Sequence, residues 1–232
     1  MKRFSIGVLL DSFRLAPEEA MRRAAALGVK GVQVYATKGD LAPENMDAAK
    51  RRAFRALADD CGLTISALCG DLGCREQNGD LIERSKRILD LAQDLGTSIV
   101  TTHIGLIPLD ETTERYQIMQ EACGELARYA DSMNAQLAIE TGPDISLTLR
   151  QFLDGLHSTG VAVNFDPANI AMVTGEDLVT AVRTLAPYIV HTHAKDGRKL
   201  LERDPEIIYG LRTDDSVVED AAFIELPLGT GD

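Results

Sequence analysis

The 232-residue sequence predicts an α/β fold, a (β/α) barrel in a single domain over residues 1–232, and three observations predict it. Gly28, Gly62 and Gly96 recur 34 residues apart, and each closes a helical pattern just before a strand-like run. That interval is the length of one strand, loop and helix, and glycine suits a helix C-terminus that turns into the left-handed region. The strand-like runs are nearly continuous in apolar residues, as in a parallel sheet covered on both faces. The segments between them carry apolar residues on one side only, as covering helices do.

Seven strands are expected, at residues 4–10, 31–35, 63–68, 98–102, 136–139, 161–165 and 188–190. Lys2 and Arg3 precede the first run, but it is short and ends in Asp11 without a small-residue cleavage site. A strand is therefore expected there rather than a signal peptide. Among the helices, Leu81, Ser85, Ile88, Ala92 and Leu95 follow three-four spacing, as do Tyr116, Met119, Cys123, Leu126 and Ala130. An open doubly wound sheet is the rival architecture. It lacks its usual signature, since no strand is followed by G-x-G-x-x-G or a Walker-type loop. Residues 195–223 read as a long, charged, irregular connection, a length that usually marks a functional or mobile loop.

Composition removes several function classes. With 24 Lys+Arg against 36 Asp+Glu, the net charge of −12 would repel a phosphate backbone, so nucleic acid is not expected as a partner. No apolar segment reaches membrane-spanning length, so no membrane is expected either. Cys61, Cys69, Cys74 and Cys123 form no C-x-x-C pair and read as reduced, structural side chains of a cytoplasmic protein.

In a parallel barrel the carboxyl ends of the strands share one face, and that face holds the chemistry. The residues standing at those ends are Asp11, then Gln33 and Tyr35, then Asp71, His103, Glu140, Asp166, and the His191-Thr192-His193 run. Glu140, Asp166 and His193 each follow an apolar strand directly, so their side chains are expected to converge on one metal ion. Two hard oxygen ligands with one imidazole suit Mn²⁺ first, with Mg²⁺, Co²⁺ or Zn²⁺ also compatible. A single polar residue at a strand end more often marks only the chain leaving the core; three on consecutive strands favour a site. His191 reads as the structural member of its pair. His103, Asn169, Asp196, Arg198 and Lys199 are the candidates for substrate contact, although a satisfied structural histidine and a solvated basic pair are the plainer readings of His103 and of Arg198 with Lys199. His157, at a helix end on the opposite face, is expected to be structural.

The runs Glu140-Thr141-Gly142, Asp166-Pro167-Ala168-Asn169, His191-Thr192-His193-Ala194-Lys195-Asp196 and Pro227-Leu228-Gly229-Thr230-Gly231-Asp232 together resemble the xylose isomerase-like TIM barrel superfamily. Within it, the likeness is to sugar-phosphate isomerase/epimerase proteins and ketose 3-epimerases, and it covers nearly the whole chain. The resemblance implies a divalent ion held by Glu140, Asp166 and His193 and a further glutamate from an eighth strand, for which this sequence has no counterpart. The expectation is thus seven β/α units with the eighth missing: a longer native chain or, alternatively, a homo-oligomer whose copies cover the seam. The resemblance further implies a small-molecule sugar or keto-sugar substrate and proton abstraction beside its carbonyl through a metal-stabilised enediolate, with Glu140 as both ligand and base. It also implies a histidine three residues after the aspartate, where this chain has Asn169. A dehydratase or β-eliminase on a keto-sugar and a non-catalytic sugar-binding subunit are the alternatives. An abasic-site endonuclease is disfavoured by four histidines and the negative charge.

Overall fold

The structure is a computed structural model that describes residues 4–71, 79–213 and 221–231. Strand and helix alternate through most of the chain, in the order β1 (Gly7–Leu9), α1 (Pro17–Ala26), β2 (Gly31–Tyr35), α2 (Ala48–Asp60), β3 (Thr64–Cys69), α3 (Gly79–Leu95), β4 (Ile99–Thr102), α4 (Glu114–Ser132) and β5 (Gln136–Glu140). The alternation continues through α5 (Ser146–Leu156), β6 (Val161–Phe165), α6 (Pro167–Val173), α7 (Leu178–Leu185) and β7 (Ile189–Thr192). The last part holds β8 (Asp196–Lys199), α8 (Pro205–Ile208) and β9 (Phe223–Leu226). The punctuating glycines act as their spacing predicts: Gly28, Gly62 and Gly96 stand at φ 76°, 66° and 84°, where a side chain would be strained.

Strands β1 to β7 lie side by side in chain order, and every neighbouring pair is parallel. The sheet is strongly curled. Flat, it would hold β2 and β7 about 24 Å apart at the usual strand spacing. Instead, Oε1 of Gln33 in β2 lies 2.8 Å from Nε2 of His193, just past β7. Ser66 of β3 likewise stands 3.5 Å from His191 of β7. The architecture is that of an incomplete (β/α) barrel. Among the described residues nothing pairs with the free edges of β1 and β7.

Burial divides the sheet. All five residues of β6 and four of the five in β5 are buried, whereas β1 and β7 have no buried residue. One apolar cluster packs α1, α2 and α3 on β2 and β3, through Met21, Phe54, Leu89 and Leu91 among others. A second packs α4, α5 and α7 on β5 and β6, where Tyr116 and Phe152 meet edge to face at 5.8 Å. The three-four stripes foreseen in α3 and α4 supply Ile88, Ala92, Leu95, Met119, Cys123, Leu126 and Ala130 to these clusters.

Two expectations need correction. The first strand is shorter than residues 4–10: Phe4 is 93% and Ile6 70% exposed, and Leu10 already belongs to a 3-10 turn, Leu10–Phe13. At the edge of the sheet these residues have a partner on one side only. Residues 195–223 are also not irregular throughout, because β8 pairs antiparallel with β9 and α8 lies between them. The hairpin docks on α6 through Gly197, where a Cβ would come within 2.9 Å of Met172 Cγ. Cys61, Cys69 and Cys123 form no disulfide among themselves, while Cys74 lies outside the described residues. No described helix is long and apolar enough to cross a membrane.

Candidate metal centre

Three consecutive strands deliver three potential ligands. Glu140 is the last residue of β5, Asp166 follows β6, and His193 follows β7. One ligand atom from each lies within 4.8 Å of the other two. Nδ1 of His193 is 3.3 Å from Oε1 of Glu140 and 3.9 Å from Oδ2 of Asp166. Ligand atoms about 2.1 Å from a common cation stand roughly 3.0–3.4 Å apart, so a small inward adjustment of Asp166 would complete the set.

Asp166 has two tasks, one per oxygen. Its Oδ1 accepts from the backbone N–H of Asn169 at 3.0 Å and so caps α6. Its Oδ2 is buried and is the one buried side-chain polar atom, among the described residues, that lacks a hydrogen-bond partner. The Lys195 ammonium stands 3.3 Å away as an ion pair. Burial raises the Asp166 carboxyl, and Asn169 and Lys195 pull the other way. A buried carboxylate oxygen with an ion-pair neighbour but no hydrogen-bond partner leaves room for a further occupant, and the donor set, two carboxylates and one imidazole, fits a divalent cation. These three residues would hold it, with its remaining positions open to water or substrate.

Glu140 sits among donors. Asn164 Nδ2 donates to its Oε2 at 3.0 Å and Asn169 Nδ2 to its Oε1 at 3.1 Å. Burial by itself would raise its carboxyl, but His103 and His193 outweigh it and hold Glu140 well below the ordinary carboxylate range. His103 joins from the end of β4, with Nδ1 2.9 Å from Asp71 and Nε2 3.6 Å from Glu140. Asp71 and then Glu140 push it up to about 10. With 41% of that side chain exposed, solvent weakens this pairing. His191 is the opposite case: burial lowers it to about 4, and its Nδ1 meets Oδ1 of Asn164 at 2.8 Å, inside the barrel.

The structure brings Glu140, Asp166, His193, His103 and Asn169 together. It does not bring Asp196, Arg198 or Lys199 to them. The Asp196 carboxylate accepts from the backbone of Gly229, Thr230 and Gly231 and fastens the turn after β9. Arg198 donates to the Thr230 carbonyl, and Lys199 pairs with Glu202 at 2.6 Å. All three serve the hairpin. His157 ends α5 in the left-handed conformation, a helix-terminal role.

Three contributors, Asn164, Lys195 and Tyr209, were given no role from the sequence, and Gln33 was noted only as standing at the end of its strand. Gln33 and Asn164 are buried amides in β2 and β6; their signal was a polar residue between apolar ones in a doubly covered strand, Gln33 between Val32 and Val34 and Asn164 between Val163 and Phe165. Lys195 adds contacts to Asn169 and Glu225 beyond its pairing with Asp166. Tyr209, after α8, puts its hydroxyl 3.0 Å from where a Cβ on Gly142 would stand, so glycine there leaves room for the phenol. Burial, with Asp144, Glu140 and Asp166 nearby, pushes that phenol up to about 12.

Comparison with known proteins places this architecture. Residues 21–231 match the family model described as Xylose isomerase-like TIM barrel, and the chain belongs to that family. No curated protein matches it. Among solved structures, it is similar to the probable 3-DHS dehydratase AsbF involved in petrobactin synthesis from Bacillus anthracis, at 19% identity and TM-score 0.75, over 99% of this chain and 85% of that one. It is also similar to a xylose isomerase-like TIM barrel protein from Mycobacterium smegmatis in complex with magnesium, at 19% identity and TM-score 0.69, over 98% and 82%. A third likeness is to D-psicose 3-epimerase with D-tagatose from Clostridium cellulolyticum H10, at 14% identity and TM-score 0.69, over 83% and 73%. At these identities the likeness is one of fold.

Proposed function

We propose that this protein is a divalent-metal-dependent enzyme that isomerises or epimerises a sugar or keto-sugar by moving a proton next to a carbonyl. The observation that carries the reading is the Glu140, Asp166 and His193 cluster, in which Asp166 Oδ2 is buried without a hydrogen-bond partner. A divalent cation, Mn²⁺ foremost, supplies Lewis-acid polarisation of a carbonyl and its neighbouring hydroxyl when bound. The chain's own groups do the rest. Glu140, ionised throughout the neutral range, is the acceptor for the proton on carbon. Asn164 and Asn169 fix both its oxygens, so the carboxylate keeps one orientation through the transfer. His103, held by Asp71, keeps a proton beside Glu140 for a substrate oxygen. Lys195, Asn169 and Tyr209 line the same mouth and orient hydroxyls.

A second reading, elimination of water from a keto-sugar, rests on the pairing of one carboxylate with a proton-bearing imidazole. In it, Glu140 takes the proton from carbon while His103 gives its own to the departing hydroxyl, which leaves as water. The likeness to a dehydratase, which spans nearly all of this chain, supports it.

Both readings are tested by supplying ketohexoses, D-tagatose included, to the Mn²⁺-treated protein in D₂O. Deuterium on the carbon beside the carbonyl with the hydroxyl count unchanged fits isomerisation or epimerisation; loss of water with a new conjugated double bond fits elimination. Glu140→Gln should suppress either by about 10²-fold or more, and undiminished exchange in that variant would remove Glu140 from the role of base.

A further inference from the structure

The metal-binding imidazole has two nitrogens, and only one can face the cation. In neutral histidine one nitrogen carries hydrogen and the other a lone pair, so the ligand atom is set by what the opposite nitrogen bonds. Here, the opposite nitrogen meets Gln33. Oε1 of Gln33 lies 2.8 Å from Nε2 of His193, across 160 residues of chain and across the barrel interior. Gln33 is 3% exposed and reaches no solvent that could compete.

The amide's orientation is itself fixed. Nε2 of Gln33 donates to Oγ1 of Thr101 at 2.8 Å, and that hydroxyl, on β4 and 1% exposed, turns its own proton toward the Leu68 carbonyl at 3.5 Å. A hydroxyl has one proton. With it directed at Leu68, Thr101 must accept from Gln33, and the amide oxygen must then face His193 and accept from its Nε2–H. Nδ1 is the nitrogen that faces the carboxylates, 3.3 Å from Glu140 and 3.9 Å from Asp166; in the metal-free molecule it meets Glu140 as a hydrogen-bond partner, and a cation bound there would take the place of that proton. The Asn164 amide leaves this assignment intact. It stands 3.3 and 3.4 Å from the two ring nitrogens alike, the geometry of a group over the ring face, and it already donates to Glu140.

We infer that Gln33 is a positioning residue: held by Thr101, it keeps the proton of His193 on Nε2 and presents Nδ1 to the metal. The inference rests on the metal reading above and adds to it which nitrogen binds and what enforces the choice. Outer partners of this kind typically contribute 10–100-fold in metal affinity.

The test uses ¹⁵N-histidine-labelled full-length protein, with the tautomer of His193 read by NMR in metal-free and Zn²⁺-loaded samples and Mn²⁺ affinity read by calorimetry. Wild type should show Nε2–H in both samples and, once loaded, coordination through Nδ1. Gln33→Met, similar in length but without an acceptor, should lose the fixed tautomer and bind Mn²⁺ 10–100-fold more weakly. Gln33→Glu, which keeps an acceptor, should restore both to near wild type, an outcome that a purely space-filling role would not produce. Thr101→Val provides a second route if Gln33→Met fails to fold: with the amide free to turn over, mixed tautomers and weakened binding are expected. Wild-type coordination through Nε2, or a wild-type tautomer and affinity in whichever of the Met and Val variants folds, would overturn the inference. Wild-type protein that takes up neither ion would instead overturn the metal reading and, with it, this role for Gln33.

Discussion

The middle of the sheet and its two ends obey different physics. Strands β5 and β6 are sealed beneath α4, α5 and α7, whereas β1 and β7 keep partly open surfaces and a free edge each. The candidate site straddles the two. Glu140 and Asp166 come from the sealed strands, and Asp166 is 1% exposed, while His193 comes from the open end, its side chain 21% exposed. The imidazole is therefore steadied less by packing than by polar contacts, one of which reaches it from the opposite wall. Packing builds the carboxylate half of this site and polar contacts build the imidazole half.

That contrast can be broken by measurement. The largest effect is expected in the sealed half: Phe152→Ala, at a 1% exposed position, should cost about 3–5 kcal/mol in chemical denaturation. A loss under about 1 kcal/mol would mean that the α5 layer is not the anchor described. Next comes the joint between the halves. Mn²⁺ at one hundred times its Kd should stabilise the protein by about 2.7 kcal/mol. Asp166→Asn should abolish the increment while leaving an acceptor to cap α6, and an increment that survives the change would place the ion elsewhere.

Asp144 gives a smaller effect that depends on pH. Burial pushes its carboxyl up to about 7, against the pull of the Ile107 N–H and Arg115. An unfolded aspartate titrates near about 3.9. Between these values the folded state holds more protons than the unfolded one, so stability falls as pH rises from about 4 to about 7 and levels off above. Asp144→Asn, which retains an acceptor for Ile107, should flatten that slope and be relatively more stable at pH 8 than at pH 5. Equal slopes in thermal melts of the two proteins would discard this. The smallest effect belongs to the open edge, where Ile6→Ala at a 70% exposed position should change stability by no more than about 0.5 kcal/mol.

The same division explains what could be read from residues alone. Local order was legible: the repeated glycines, the apolar strands and the polar residue after each one locate β2 to β7 and lead to Glu140, Asp166 and His193. These signals are short-range, encoded within a single strand and helix. What escaped is long-range. Gln33 matters because of a partner 160 residues away, and Lys195 because the chain folds back so that Asp166 and Glu225 flank it. Asp196, Arg198 and Lys199 illustrate the complementary point. Their proximity to His193 in sequence suggested a shared site, but the backbone turns into β8 at Asp196, and these side chains bond within the hairpin. The charged stretch 195–223 likewise hid a strand pair, because β8 contributes four residues with one glycine and three charges, a composition without strand character.

Lys195 joins two structures through one ammonium: 3.3 Å on one side to Asp166 in the barrel, 3.3 Å on the other to Glu225 in the hairpin. The two carboxylates therefore share a single counter-charge. A cation arriving at Asp166 would compete with Lys195 for that carboxylate, which would leave the ammonium to Asn169 and to the largely exposed Glu225 of the hairpin.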